Sequence, residues 1–175
     1  MGIVFVAGVH AVGKSTACQQ VSNDSGIAHF SASDLIKAER KNAITDQDKA
    51  VADVNGNQQL LLKAIDRKLS QTASHILLDG HFTLINAKGD IEPIGIELFE
   101  KLPLSGVVVY HDTPKSIIAR MSERGGCVIQ KNRVEYHQDL EIEHAQWISV
   151  ELGIAIKLLN AFDVDGLRQV VSKWL

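Results

Sequence analysis

The chain has 175 residues, of which 45% are hydrophobic and 22% charged, and 18 Lys and Arg residues nearly balance 21 Asp and Glu residues. This composition predicts one domain with a sizeable core and excludes a collagen-like, disordered or disulfide-rich chain. A net charge of -3 provides no broad basic surface for nucleic acid, and no apolar run reaches the length of a membrane span. We therefore expect a cytoplasmic protein without nucleic-acid or membrane partners, whose two cysteines, Cys18 and Cys127, are reduced and structural.

Short apolar runs without polar alternation recur along the chain, and such runs are typical of strands buried on both faces of a parallel sheet. Helical patterns lie between them, so we expect a single α/β domain over residues 1–175 with right-handed crossovers onto a mainly parallel sheet. The five candidate strands are Ile3 to Ala7, Ala28 to Ser31, Ile76 to Leu78, Val107 to Tyr110 and Ile154 to Leu159.

The helical segments are bounded by recognisable start and stop signals. Thr113-Pro114 combines a capping hydroxyl with a proline at the first helical position, which predicts a helix to about Arg124. A longer pattern is expected to be interrupted at Asn55-Gly56-Asn57. The predicted helices are Lys14 to Ser22, Asp46 to Gln71, Pro114 to Arg124, Asp139 to Leu152 and Val164 to Trp174.

A glycine-rich segment after the first strand fits the pattern G-x-x-x-x-G-K-[ST] and opens the first helix. Backbone N–H groups at such a helix start surround polyphosphates, Lys14 would reach the β and γ phosphates, and Ser15 would ligate Mg²⁺. No N-K-x-D base-reading motif is present, which disfavours a GTPase and favours ATP. The predicted ATP-binding residues of this segment are Gly8, Val9, His10, Ala11, Val12, Gly13, Lys14, Ser15 and Thr16.

A carboxylate and a set of arginines could also act at the phosphates of ATP, the first through Mg²⁺ and the second by direct contact. Asp79 ends an apolar strand and is a candidate second group for Mg²⁺, although an Asp before Gly80 also suits a simple turn. Arg120 and Arg124 share one helix face, and Arg133 follows Gly125-Gly126. These arginines could screen the charge of a triphosphate or could form a solvated basic face.

These segments, together with Leu78-Asp79-Gly80-His81 and Asn132-Arg133-x-Glu135-Tyr136, resemble the small P-loop kinases of the nucleoside monophosphate kinase group, especially archaeal-type adenylate kinases. The resemblance implies a P-loop NTPase fold, a three-layer α/β/α sandwich with a five-stranded sheet, substrate-binding helices over about 32–72 and a short lid over about 125–138. Two departures stand out. His10-Ala11 replaces the usual Pro-Gly, and no arginine follows Asp79-Gly80.

Residue roles follow from that resemblance. Arg120 would stack on adenine, Arg124 would contact the transferring phosphates, and Arg133 would reach in from the lid. The implied catalytic group is then Lys14, Asp79, Arg124 and Arg133, with Ser15 and Asp79 on the metal.

Residues 30–36 occupy the place where these kinases begin their substrate-binding helices. Lys37 or Arg40 would hold an acceptor phosphate there, with Asp34 capping the helix. The segment is also similar to the S-D-x-x-I stretch of shikimate kinases, in which Asp34 would orient or deprotonate a hydroxyl acceptor. His81 would contact the acceptor or serve a structural role.

The leading interpretation is Mg²⁺-dependent phosphoryl transfer from ATP to a small acceptor, most simply a nucleoside monophosphate. A hydroxyl-acceptor kinase is the alternative. A regulatory ATPase that gates a protein partner is a third interpretation, because Asp79-x-His81 is similar to the nuclear adenylate kinase-like ATPases.

One cluster of possible metal ligands is disfavoured. His137, Glu141 and His144 share a helical face, but the helix is expected to be exposed, so a metal role is disfavoured. The sequence leaves the acceptor's identity and the oligomeric state open.

Overall fold

The computed structural model describes residues 2–45, 54–72, 75–86, 88–125 and 130–175. Seven strands lie in these ranges, namely β1 (Ile3–Ala7), β2 (Ala28–Ser31), β3 (Ile76–Asp79), β4 (Thr83–Ile85), β5 (Ile91–Pro93), β6 (Leu104–His111) and β7 (Ala155–Asn160). Five of them form a parallel sheet in the order β2-β3-β1-β6-β7, while β4 and β5 form a separate antiparallel pair. The predicted five-stranded parallel sheet is therefore confirmed.

The helices alternate with the sheet strands as expected. They are α1 (Lys14–Ser25), α2 (Ala32–Thr45), α3 (Val54–Thr72), α4 (Ile96–Phe99), α5 (Pro114–Glu123), α6 (Lys131–Leu152) and α7 (Val164–Trp174). The predicted start of α5 is confirmed, because the Thr113 hydroxyl accepts a hydrogen bond from the Ser116 backbone N–H at 3.2 Å. None of the described helices is both long and apolar enough to cross a bilayer.

Helices α3 and α6 differ most from the prediction. Helix α3 runs unbroken through Asn55-Gly56-Asn57, so the expected interruption is wrong, and residues 46–53 of that prediction lie outside the described residues. Helix α6 begins at Lys131 rather than Asp139, so residues 131–138 of the predicted lid form its first turns. Residues 126–129 of that lid, with Cys127, lie outside the described residues.

Apolar side chains cover both faces of the sheet, which makes three layers. On one face α3 and α6 contribute Leu61, Ile65 and Ile148 to a cluster that also holds Phe5 and Phe82. On the other face α1, α5 and α7 supply Cys18, Ile117, Leu167 and their neighbours. With both faces covered, the carboxyl ends of the parallel strands β1, β3 and β6 meet at one edge of the sheet, where ligands of open α/β sheets bind.

Candidate active site

The segment between β1 and α1 has the backbone of a phosphate-binding loop. Gly8 has φ +139°, and a Cβ there would stand 2.6 Å from the Tyr110 carbonyl oxygen. Gly13 has φ +99° and abuts the Phe162 ring, which a Cβ would approach to 2.8 Å. Both positions therefore require glycine. Helix α1 starts directly after Gly13, so its free N–H groups face the space enclosed by the loop.

The loop side chains divide into two groups. Val9 and Val12 are buried and anchor the loop in the core, and Lys14 is also largely buried. His10, Ser15 and Thr16 are exposed. Ala11 adopts a left-handed backbone with φ 61°. The side chains of His10, Ser15 and Thr16 thus lie on the solvent-facing side of the loop, where a polyphosphate would bind.

Lys14 lies near ionisable side chains, and its charge and theirs shift one another's pKa values. Its Nζ is 3.4 Å from Nε2 of His81, and the His81 ring is 4.5 Å from the His10 ring. Burial lowers the pKa of Lys14, although the carboxylates of Asp79 and Glu141 act in the opposite direction. Burial, followed by the Lys14 charge, holds the pKa of His81 well below its usual value. His81 is therefore neutral near pH 7 and accepts a hydrogen bond from Lys14.

Asp79 is at the end of β3, as predicted, and is nearly buried. Its Oδ2 is 2.6 Å from Nε2 of His29, which comes from the neighbouring strand β2. His29 was not singled out by the sequence analysis, because the contact joins residues 50 positions apart. The imidazole fixes the orientation of a carboxylate that faces the phosphate loop.

Glu141 corrects an expectation from the sequence, since its side chain is fully buried rather than exposed. Its Oε1 accepts hydrogen bonds from the backbone N–H groups of Gly8 (3.3 Å) and Phe82 (2.9 Å). Its Oε2 accepts from the Thr83 N–H (2.8 Å) and hydroxyl (2.5 Å). Burial raises the pKa of Glu141, while these donors and Lys14 oppose the shift. One carboxylate thus joins α6 to the loop and to the segment after β3.

The neighbouring histidines do not join Glu141 in a metal site. Nε2 of His137 lies 3.0 Å from the Thr83 hydroxyl, and Nε2 of His144 lies 2.6 Å from the Ile94 carbonyl oxygen. Since the Thr83 hydroxyl donates to Glu141, His137 must donate to Thr83. Among the described residues no group of three or more His, Cys, Asp or Glu side chains is placed to hold a metal ion.

The buried His137 predicts a pH dependence of stability. Burial, followed by nearby positive charges, lowers its pKa from 6.5 to about 4. Below pH 6.5 the unfolded chain takes up a proton that the native protein refuses until about pH 4, so stability falls across this window. His137→Gln keeps the donor to Thr83 but does not titrate. Between pH 7 and 5 we expect this variant to lose about 2 kcal/mol less of its unfolding free energy than the wild type.

Urea unfolding at the two pH values measures this difference. Parallel losses of stability in the two proteins would contradict a neutral His137. Exposed Gln146 on the same helix provides a matched control, because Gln146→His adds an imidazole that retains its normal pKa.

Arg120 lies against the loop, but its contacts are with protein groups. Its Nε donates to the Ala11 carbonyl at 2.7 Å, and its other end pairs with Asp112 at 2.6 Å. The guanidinium is 5.1 Å from the centroid of the half-exposed Phe162 ring. The Arg120 guanidinium and the Phe162 ring therefore lie together beside Gly13, and a nucleotide base could stack on this pair.

The other two predicted arginines are less closely held. Arg124 caps the C-terminus of α5 and is exposed, and its charge is close enough to lower the pKa of Lys14. Arg133 lies in the first turn of α6, and its guanidinium donates to the Gly89 carbonyl in the loop between β4 and β5. Arg133 also lines a small cavity with Val9 and His10.

A cavity of about 430 Å³ lies between the loop and helices α2 and α3. Lys14, Ser15 and Asp79 lie at its phosphate-loop end, and Arg40 and Asn57 also line it. Arg40 donates to the Asn57 side-chain carbonyl, while its Nε has no partner among the described residues. The apolar part of the lining comprises Phe5, Ala32, Ile36, Leu61, Leu84, Ile94 and Leu98.

Of the predicted acceptor-side residues, Lys37, Arg40 and His81 line this cavity and Asp34 does not. The Asp34 side chain is 73% exposed and pairs with Lys37 at 3.0 Å. As an acidic residue in the first turn of α2, Asp34 favours the helix start electrostatically. This placement does not support Asp34 as a base for a hydroxyl acceptor.

Comparison with known proteins agrees with this geometry. The profile of a family described as AAA domain (AAA_17) matches residues 7–137. An adenylate kinase of Pyrococcus abyssi is 24% identical over 183 residues, covering 98% of this chain and 92% of that protein. A uridylate kinase of Saccharomyces cerevisiae is 25% identical over 128 residues, covering 71% of this chain and 63% of that protein.

A solved structure of a gluconokinase from Sinorhizobium meliloti 1021 superposes with a TM-score of 0.54 at 16% identity. The superposition covers 96% of this chain and 87% of the gluconokinase chain. This likeness supports the fold alone. The resemblance to nucleoside monophosphate kinases seen in the motifs is confirmed by the curated relatives. Because the family profile spans most of the sequence, the chain belongs to the AAA-domain family AAA_17 and has the fold of a P-loop kinase.

Proposed function

We propose that the protein transfers the γ-phosphoryl group of ATP to a nucleoside monophosphate. The observation that carries this proposal is the cavity that runs from Lys14 and Ser15 to Arg40. Arg40 lines this cavity, and its Nε has no partner among the described residues. Its guanidinium suits an anionic acceptor, because the planar fork binds phosphate oxygens in pairs. The apolar lining between the two ends suits the body of a nucleoside.

In the proposed arrangement each substrate has its own set of groups. The N–H groups of the loop and Lys14 hold the β and γ phosphates of ATP, and the base stacks beside Arg120 and Phe162. Arg40 and Lys37, which line the same cavity, hold the phosphate of the acceptor. An ionised phosphate acceptor needs no base, so orientation and charge neutralisation by Lys14, Arg124 and Arg133 supply the catalysis. Arg133 would exchange its contact with Gly89 for one with phosphate.

The residues present fit a magnesium ion. Mg²⁺ is typically held by one or two protein oxygens while phosphates and water supply the rest. The Ser15 hydroxyl and the Asp79 carboxylate meet this requirement at the phosphate-loop end of the same cavity. Bound there, Mg²⁺ would neutralise charge on the β and γ phosphates.

Asp79→Asn tests the metal role, because asparagine preserves the size and the acceptor for His29 but removes the charge. We expect turnover at 1–10 mM Mg²⁺ to fall roughly 10²-fold and its Mg²⁺ requirement to rise. The melting temperature should change little. Asp66→Asn, an exposed position on α3, is the control. Wild-type turnover by the Asp79 variant at saturating Mg²⁺ would reduce Asp79 to a turn residue.

A panel of acceptors tests the proposed activity. Purified protein with ATP and Mg²⁺ is incubated with AMP, UMP, CMP, GMP, gluconate or shikimate, or with no acceptor, and ADP release is followed. We expect at least one monophosphate to stimulate ADP release about tenfold or more. Stimulation by a hydroxyl compound alone would favour the hydroxyl-acceptor alternative. Acceptor-independent hydrolysis alone would favour the regulatory ATPase.

A further inference from the structure

The buried side chain of Glu141 on α6 contacts two segments that lie far apart in the sequence. Its Oε1 is shared between two backbone donors from distant parts of the chain, Gly8 in the phosphate loop and Phe82 after β3. The sequence separations are 133 and 59 residues. A single oxygen atom therefore lies between the ATP-binding loop and a segment on the acceptor side.

The chemistry of this position specifies a carboxylate. Three N–H groups and one hydroxyl point at the two oxygens, so both side-chain atoms must accept. An amide would offer one acceptor and turn an NH₂ group against N–H donors. Burying a carboxylate is costly unless donors and charges compensate for it. The charge near Glu141 that opposes its pKa shift is that of Lys14, a group that ATP phosphates would engage.

The acceptor-side segment, residues 80–84, behaves as a wall of the cavity. Gly80, His81 and Leu84 line the cavity. The Phe82 ring is fully buried and packs at 5.1 Å from Phe5 and 4.7 Å from Phe99, measured between ring centroids. This packing makes the segment stiff, so a displacement at the Phe82 backbone carries the lining residues with it.

We propose that Glu141 is a positioning residue that couples occupation of the phosphate loop to the placement of residues 80–84 against the acceptor. The claim about the acceptor rests on the proposed function, whereas the coupling itself does not depend on the acceptor's identity. In a reaction governed by positioning, a shift of about 1 Å costs roughly 10²-fold in rate. Loss of the shared oxygen should therefore lower kcat more than it weakens ATP binding.

Glu141→Gln tests the proposal through two independent readouts. The first is backbone amide exchange of Phe82 and Thr83, measured by NMR with and without the non-hydrolysable analogue AMP-PNP and Mg²⁺. In the wild type we expect nucleotide to slow this exchange about tenfold, and in the variant we expect no slowing although nucleotide still binds. The second is steady-state transfer to the monophosphate that the acceptor panel identifies, in which kcat should fall about tenfold or more with KM for ATP changed less than about threefold.

Ser149→Ala is the matched control, because Ser149 is a buried residue of the same helix whose hydroxyl donates to the Ile154 carbonyl. It should lower stability but leave both readouts at wild-type values. Equal effects of the two variants, or unchanged exchange slowing in Glu141→Gln, would overturn the proposal. If the variant does not fold, the wild-type measurement still tests the proposal. Nucleotide that fails to slow amide exchange at Phe82 and Thr83 of the wild type would overturn the proposed coupling. If wild-type protein uses none of the nucleoside monophosphates, the proposed function fails while the exchange experiment still decides the coupling.

Discussion

Lys14→Ala is expected to lower turnover with ATP by about 10³-fold while the protein remains folded. The ammonium is aimed at the place where the β and γ phosphates would bind, in a buried setting where a positioned charge acts most strongly. Burial lowers the pKa of Lys14, so burying its charge is costly, but the same charge compensates the buried Glu141 carboxylate. These opposing effects should leave the melting temperature of the variant close to that of the wild type.

Initial-rate kinetics and thermal unfolding of the same preparation measure both effects. Lys115→Ala, an exposed position on α5, removes one positive charge without touching the loop and should behave as wild type. Turnover by the Lys14 variant within tenfold of wild type would contradict the assignment of residues 8–15 as the ATP site.

Arg124→Lys is expected to lower kcat by about 10³-fold with little change in ATP affinity or stability. An arginine that acts on the transition state of phosphoryl transfer contributes 10³ to 10⁵ in rate, or roughly 4 to 7 kcal/mol. An exposed arginine that only completes a helix dipole contributes under about 1 kcal/mol, and to stability. Lysine keeps the charge but loses the planar fork, so the two roles predict results that do not overlap.

Arg168→Lys is the matched control, since Arg168 pairs with Asp24 and Asp165 on the surface of α7. Single-turnover rates at saturating ATP separate the chemical step from binding. If Arg124→Lys retains more than about a tenth of the rate, Arg124 belongs to a solvated helix end instead.

The sheet could be predicted because its central strands β1 and β3 are short apolar runs buried on both faces, as in Ile3 to Ala7. The phosphate loop could be predicted because each motif residue has a local physical requirement, such as the positive φ of Gly8 and Gly13. The pair of β4 and β5 escaped prediction because each strand has three residues and pairs only with the other. Such short strands leave too few positions for alternation to be recognised.

The start of α6 was misplaced for a different reason. Its first turns are polar, with Val134 as the buried apolar residue, and Gln130 at the N-cap makes no side-chain capping bond. No local pattern therefore marks the start. Conversely, Gly56 lies inside α3 although glycine disfavours helix. The packing of α3 against α2 outweighs that local preference.

The side-chain hydrogen bonds around the site were the hardest feature to predict from the sequence. Glu141 lies in the acidic stretch Asp139-Leu140-Glu141-Ile142-Glu143, which is typical of a solvated helix, yet it is fully buried. Its partners are set by tertiary structure and have no local signature. The same holds for the contact between His29 and Asp79. Asp34 shows the converse difficulty, since a carboxylate at a helix start suits both a capping and a catalytic role in sequence. Its side chain is mostly exposed.

The fate of a labelled phosphoryl group tests the central claim most directly. The protein is incubated with Mg²⁺, γ-labelled ATP and each nucleoside monophosphate in turn, and the products are separated by chromatography. The account predicts label in a nucleoside diphosphate, formed at a rate that Lys14→Ala abolishes. Label found only in inorganic phosphate, with every monophosphate present in excess, would contradict it.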